Sequence, residues 1–302
     1  MSLGLCGFPG NGHDVGGFAG PAPSPELLLR WVQHGVFQPR FTVHSWNDDG
    51  TVTTPWMHES VLASIRQAIH FRAHLLPFLY DLHAAAEETG MPVTRPLVFH
   101  YAEDPKCRTE SFDFLLGQDL LVCSIFEEGT RAREVYLPLG NSWMELYTGV
   151  WQQSGKVVKA SAPMDRLIPV FVRGGAILPY ALEPGAAARG VLVCVPAGPG
   201  RWERTWIEDD GETDAYRTGG RMRVTVVVEA SMDVLQVGAT RVKDEGPEDF
   251  ALTYTDLIVS VPPSEQRKVS ELNGRPEAWE ARMAQHPRWL WPESRSFVTP
   301  IR

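Results

Sequence analysis

The residues best placed for chemistry lie in two loops near the start of the chain. Gly12-His13-Asp14-Val15-Gly16-Gly17-Phe18 sets an imidazole and a carboxylate among glycines that permit a tight turn at a strand's end. Taken alone, a turn Asp bonded to its own backbone accounts for the motif equally well. His44 ends the strand-like segment Val36–Val43, with Trp46 two residues on. An imidazole there can bind a hydroxyl, and an indole face beside it can stack on a C–H-rich ring. The plain alternatives are a His bonded to a backbone carbonyl and an indole closing the end of the fold.

Other polar clusters carry less. Asp48-Asp49-Gly50 and Asp209-Asp210-Gly211-Glu212 offer too few oxygens at alternating positions for a calcium loop. The adjacent Asp48 and Asp49 fit a solvated turn better than a catalytic pair, whose carboxyls must face each other from separate elements. His70 and His74 have helical i, i+4 spacing but no acidic partner at zincin distance, so packing or a surface role is expected. No metal site is expected.

The elements that must position these residues follow from periodicity. Ser2–Gly7 reads as a short strand, followed by a Gly- and Pro-rich loop to Pro25. A helix then starts, with Ser24 as cap, Pro25 in the first turn and Glu26 at its positive end. A second helix spans about 60–88, with Pro77 inside and Gly90 as its stop. Strand, loop and helix thus occur twice, as in (β/α) units whose chemistry sits on the loops after the strands. Two units cannot close an eight-stranded barrel, so the others are expected upstream. After Gly90 the pattern is all-β: Arg95–His100, Asp119–Ile125, Glu134–Leu137 and Leu167–Val172. Beyond Leu182–Gly185 come Val191–Val195, Thr205–Ile207, Met222–Val228 and Val234–Val237. The expected domains are 1–92, 93–182 and 183–302, the last with a tail from Pro262 rich in Pro, Glu and Arg.

Composition narrows the partners. A net charge of -9 argues against nucleic acid, which needs clustered Lys and Arg. Ten Trp residues suit carbohydrate binding, although Trp is also a core residue. Cys6, Cys107, Cys123 and Cys194 lie far apart without a C-x-x-C pair and read as buried free thiols of a reducing compartment. No signal peptide or membrane span is apparent, so a cytoplasmic location is expected, unless a signal stood on a missing N-terminal part.

An ordered series of motifs resembles glycoside hydrolase family 31, the α-glucosidase and α-xylosidase family. The G-H-D-[IV]-G-G-F stretch is followed by Glu26-Leu27, Arg30-Trp31-Val32-Gln33-His34-Gly35 and Pro39-Arg40-Phe41-Thr42-Val43-His44. The R-x-x-L-L-P-Y-L-Y helix is similar to Arg72-Ala73-His74-Leu75-Leu76-Pro77-Phe78-Leu79-Tyr80. Phe114-Leu115-Leu116-Gly117, Pro169-Val170-Phe171-Val172-Arg173-Gly174-Gly175 and Glu208-Asp209-Asp210-Gly211 continue the match, which runs from about Ser2 to Gly219. Thr54 stands before Pro55-Trp56 where the family usually has Glu, and Glu110-Ser111-Phe112-Asp113 replaces its usual acidic pair.

The resemblance implies the last two β/α units of a (β/α)8 barrel, then two small antiparallel β-sandwich domains. It also implies retaining hydrolysis of an α-glycosidic bond in an oligosaccharide or α-glycoside, without a cofactor. The nucleophile and acid/base Asp of the family lie on earlier strands and are expected upstream of Met1, so the isolated chain is expected to be inactive. The family's matching His bonds a sugar hydroxyl, which makes His44 the chief substrate-contact candidate. Asp14, Trp46, Phe18 and Arg40 stand beside it, with Arg40 expected in an ion pair. The rival expectations are a non-catalytic carbohydrate-binding or structural module, and one half of a split hydrolase completed by a missing N-terminal barrel half.

Overall fold

The computed structural model describes residues 1–110, 112–244, 250–272 and 295–302. They form two compact units. The first comprises Met1–Ala73, Leu82–Leu146 and Val150–Arg173; the second comprises His74–Asp81, Tyr147–Gly149 and Gly174–Arg302.

The first unit opens on helix α1 (Ser2–Leu5), where the sequence reads as a strand. Leu3 and Leu5 alternate, but both are exposed, so no half-buried sheet face stands behind the pattern. Gly7, at φ 88°, follows the turn. Then come β1 (Gly12–Val15), β2 (Ala19–Gly20), α2 (Pro25–Gly35), β3 (Arg40–Val43) and β4 (Trp46–Asn47). Ser24 caps α2 by accepting from the Leu27 N–H at 3.3 Å. The expected strand Val36–Val43 is shorter than its apolar run. Val36 caps α2 and Phe37 is fully buried behind it, while pairing begins after Pro39, which has no N–H to give a ladder. Helix α3 (Glu59–Thr89) runs to Gly90 at φ 74°, whose N–H closes on Ala86 O at 2.9 Å.

The rest of this unit is antiparallel. β5 (Thr94–Pro96), β6 (Phe114–Leu116), β7 (Leu120–Val122), β9 (Trp143–Glu145), β10 (Trp151–Gln152) and β12 (Val170–Arg173) form a sheet in the order β10-β9-β12-β7-β6-β5. The antiparallel pair β8 (Ala132–Tyr136) and β11 (Val157–Ser161) packs Val135 and Ala160 into the same core as Leu115, Leu121, Trp143 and Phe171. The expected strand Arg95–His100 is only β5, followed by a 3-10 turn at Leu97–Phe99.

In the second unit, β13 (Ala176–Ala181), β14 (Arg189–Cys194), β18 (Asp256–Val261) and β20 (Arg295–Pro300) form one sheet. β15 (Gly200–Asp209), β16 (Arg221–Ala230), β17 (Val234–Lys243) and β19 (Lys268–Glu271) form another. The expectation of purely antiparallel pairing fails twice, since β14 runs parallel to β18 and β17 parallel to β19. β18, β19 and β20 come from a stretch whose long connections give no short-range hairpin signal. Part of the tail, residues 273–294, lies outside the described residues.

Three of the cysteines are buried and all four are free, but Cys6 is exposed, against the expectation that all are buried. His74 is buried, with Nδ1 2.8 Å from Ala181 O, which is a packing role. No described helix is long and apolar enough to cross a membrane.

Candidate active site

β1 and β3 lie parallel, with Gly12 opposite Arg40 and Asp14 opposite Thr42. Side chains alternate along a strand, so Asp14, Arg40 and Thr42 share one face, and His44 extends it just past β3. The other face carries Val15 and Phe41 toward α2. The two layers meet at Gly35, where a Cβ would lie 2.8 Å from Val15 Cγ2 and 3.1 Å from Phe41 Cδ2. A side chain at Gly35 would push the helix off the strands. The helix-covered face therefore packs Val15 and Phe41 against α2, and the open face carries the Asp14–Arg40 ion pair.

On the open face Arg40 Nη2 donates to Asp14 Oδ1 at 3.1 Å. His44 Nδ1 stands 3.6 Å from the same oxygen, within ion-pair reach when protonated but too long for a hydrogen bond. The Phe18 ring lies 5.2 Å from the His44 ring. Gly16 and Gly17, at φ 93° and 90°, make the turn that carries the chain from Asp14 to Phe18. Trp46 follows His44 and is 77% exposed. Its N–H donates to Phe18 O. Thus Asp14, Arg40, His44, Phe18 and Trp46 gather where β1 and β3 end. Such a cluster can bind hydroxyl groups and stack on a ring, and it contains one carboxylate. Asp49 turns inward on its own loop, accepting from the Thr51 N–H at 2.9 Å and hydroxyl at 2.7 Å.

The opposite side of β1 sets the imidazole of His13 against α2 groups, Trp31 and His34, that sequence reasoning passed over as site residues. His13 stacks on His34 at 5.2 Å, and Trp31 Nε1 donates to His13 Nδ1 at 3.3 Å. His34 contacts Ser124 Oγ at 2.9 Å and Gln38 Nε2 at 3.1 Å. Burial, with the neighbouring His13 adding to it, lowers the His34 pKa to about 4. These residues line a cavity of about 760 Å³, which none of the five candidate residues touches. It is set apart from the clustered polar face. The i, i+3 pair Trp31 and His34 on α2 was the available signal.

Residues 1–82 match the Glycosyl hydrolases family 31 TIM-barrel domain, and residues 90–178 match the Glycosyl hydrolase family 31 C-terminal domain. The chain belongs to glycoside hydrolase family 31 and corresponds to its C-terminal part. A probable glucan 1,3-alpha-glucosidase of Arabidopsis thaliana is 39% identical over 59% of this chain and 19% of its own length. Alpha-glucosidase 2 of Bacillus thermoamyloliquefaciens is 35% identical over 76% of this chain and 29% of its own length. A dextranase of Flavobacterium johnsoniae, solved with glucose, superposes with a TM-score of 0.82 over 99% of this chain and 39% of its own, at 23% identity, a likeness of fold.

Proposed function

We propose that this chain forms the C-terminal part of a retaining α-glycoside hydrolase, and that Asp14, Arg40 and His44 bind the sugar held for cleavage. The observation that carries the reading is the meeting of these three side chains on the open face at the ends of β1 and β3, the end where (β/α) barrels place their active sites. Arg40 fixes the Asp14 carboxylate, Asp14 orients His44, and His44 meets a sugar hydroxyl. Phe18 covers a C–H face of the same ring. The relatives are named as α-glucosidases, which favours an α-glucosyl group.

Retaining hydrolysis needs two carboxyl groups about 5–5.5 Å apart, one attacking the anomeric carbon and one protonating the leaving oxygen. Asp14 is committed to Arg40, and Asp49 to Thr51. The nucleophile and the acid/base are therefore assigned to barrel strands other than β1 and β3.

The test is hydrolysis of aryl α-glucoside, α-xyloside and α-galactoside by the purified chain. Turnover at the blank level is expected from the chain alone. In an enzyme with a complete barrel, His44→Ala is expected to lower kcat/KM by about 2–4 kcal/mol. Turnover by the chain alone that vanishes on Asp14→Asn or Asp48→Asn would show that the catalytic pair lies within it.

A further inference from the structure

The cavity of about 760 Å³ has the size of a small-molecule site, and its walls are aromatic: Trp31 of α2, Phe114 of β6, Phe112 and Phe126. The last two are exposed and stack at 4.1 Å with their planes 19° apart. The carboxylates of Glu26, Glu127 and Glu128 line it, against one guanidinium, that of Arg30. Glu26 is paired with Arg131 at 2.5 Å, and Arg30 is held by the carbonyls of Thr130, Ala162 and Pro163. Glu127 and Glu128 are exposed and have no ion-pair partner among the described residues. His13 lines the same cavity and supplies a directed polar group. Trp31 Nε1 donates to its Nδ1, so that nitrogen carries the lone pair. Burial lowers the His13 pKa, so the ring is neutral and its proton sits on Nε2. That buried N–H has no hydrogen-bond partner among the described residues, a deficit that a ligand oxygen would remove.

We propose that this cavity binds a small aromatic amine that also carries a hydroxyl or ether oxygen. The ring packs against the aromatic walls, the ammonium is drawn to Glu127 and Glu128, and the oxygen accepts from His13 Nε2. A cation suits this lining twice over, since carboxylates attract it and ring faces carry partial negative charge. Burial holds His34 neutral as well, so neither imidazole opposes the cation. An anion would meet two unpaired carboxylates and is disfavoured. The cavity shares no residue with Asp14, Arg40 and His44, so the inference stands apart from the sugar-binding reading.

The experiment titrates the purified chain at neutral pH with tyramine, phenethylamine, phenethyl alcohol and phenylacetate by calorimetry. NMR follows the ring signals of His13, His34 and His44. Tyramine is expected to bind tightest. Phenethylamine, which lacks the phenol oxygen, should bind about threefold weaker. Phenethyl alcohol, its neutral counterpart, should bind about tenfold weaker again, and phenylacetate should give no heat. The shifts should fall on His13 and His34 and spare His44. Glu127→Gln combined with Glu128→Gln, both on the surface, should bring phenethylamine down to the alcohol and leave the alcohol unchanged. His13→Phe, which keeps a ring and removes the donor, should erase the lead of tyramine over phenethylamine. No heat from either amine, equal affinity for amine and alcohol, or shifts centred on His44 would overturn the site. An amine preference untouched by the double substitution would overturn it as well, whether or not His13→Phe folds. A tyramine lead that survives His13→Phe would overturn the role given to His13 Nε2.

Discussion

In the unit built from β13 to β20, alternate strand residues meet in one apolar core. Val224, Val226 and Val228 of β16 are fully buried against Leu235, Val237, Leu257 and Val259. In the unit that carries the candidate site, β1 and β3 form only a two-stranded parallel sheet, and charged side chains tie its parts together. Arg30, 5% exposed, donates to Ala162 O at 2.6 Å, Thr130 O at 2.9 Å, Pro163 O at 3.2 Å and Gln33 Oε1 at 3.0 Å. Arg72 donates to Val36 O, Gln38 O and Pro39 O at 2.7–2.9 Å. Apolar burial is non-directional, whereas a guanidinium shared among carbonyls fixes where each loop must lie. The site is held by the second kind of contact.

The sharpest way to break this contrast is to remove one large core side chain and one guanidinium. Trp206 is 1% exposed, and its Nε1 donates to Glu208 Oε1 at 2.9 Å, which also accepts from Tyr254 at 2.9 Å. Trp206→Ala is expected to destabilise the second unit by about 3–5 kcal/mol in urea unfolding. Arg30→Ala is expected to cost about 2–4 kcal/mol, because buried carbonyls lose their donors. Arg30→Lys should recover little, since an ammonium cannot span three carbonyls on diverging lines. Hydrogen exchange should then rise at residues 25–43 and 130–163 together; a rise confined to α2 would mean that Arg30 is not the link.

Next in size is a pH effect confined to the site-bearing unit. His34, held near a pKa of about 4, stays neutral in the folded chain while an unfolded His charges near 6.5. Between those values the unfolded chain binds the extra proton. The stabilisation present above about pH 6.5 is therefore lost as pH falls toward about 4, by about 2–3 kcal/mol. Burial lowers the pKa of the stacked His13 as well, which acts in the same direction. Thermal melting from pH 7 to 4 should show the loss, and His34→Gln should flatten it. A profile unchanged by that substitution would place the acid sensitivity elsewhere.

The smallest expected effect is at Gly16. Its φ of 93° and the contact with Thr53 make Gly16→Ala cost about 1–2 kcal/mol, read as a shift in melting temperature. A neutral result would mean that the turn is not braced on Thr53.

The helices α2 and α3 were legible because capping residues and apolar spacing agree at the same positions. Ser2–Gly7 was misread because two alternating leucines mimic a strand where no sheet covers them. Asp14, Arg40 and His44 could be singled out from a motif order, and the parallel register brings them together. The bonds from Asn47 Nδ2 to the hydroxyls of Thr51 and Thr53, at 3.0 and 3.2 Å, were not legible, since hydrogen bonds between short polar side chains leave no periodic trace. Nor was the reach of Arg30 to carbonyls a hundred residues or more on, in the same compact unit that holds the first seventy-three residues and strands β5 to β12. Parallel strand pairs depend on long connections, and local pattern says nothing about them.

Helix α3 is one continuous element of 31 residues, yet its middle segment His74–Asp81 belongs to the second unit, while the residues on either side belong to the first. Within the second unit that segment is tied by His74 to Ala181 O, by Tyr80 to Asp209 Oδ2 at 2.5 Å, and by Asp81 to Arg204 at 2.5 Å. A recombination joint placed after Arg173 would therefore transplant eight strands without the helical turns they are bonded to. A single crossover there cannot deliver the second unit whole, because His74–Asp81 lies on the far side of the joint.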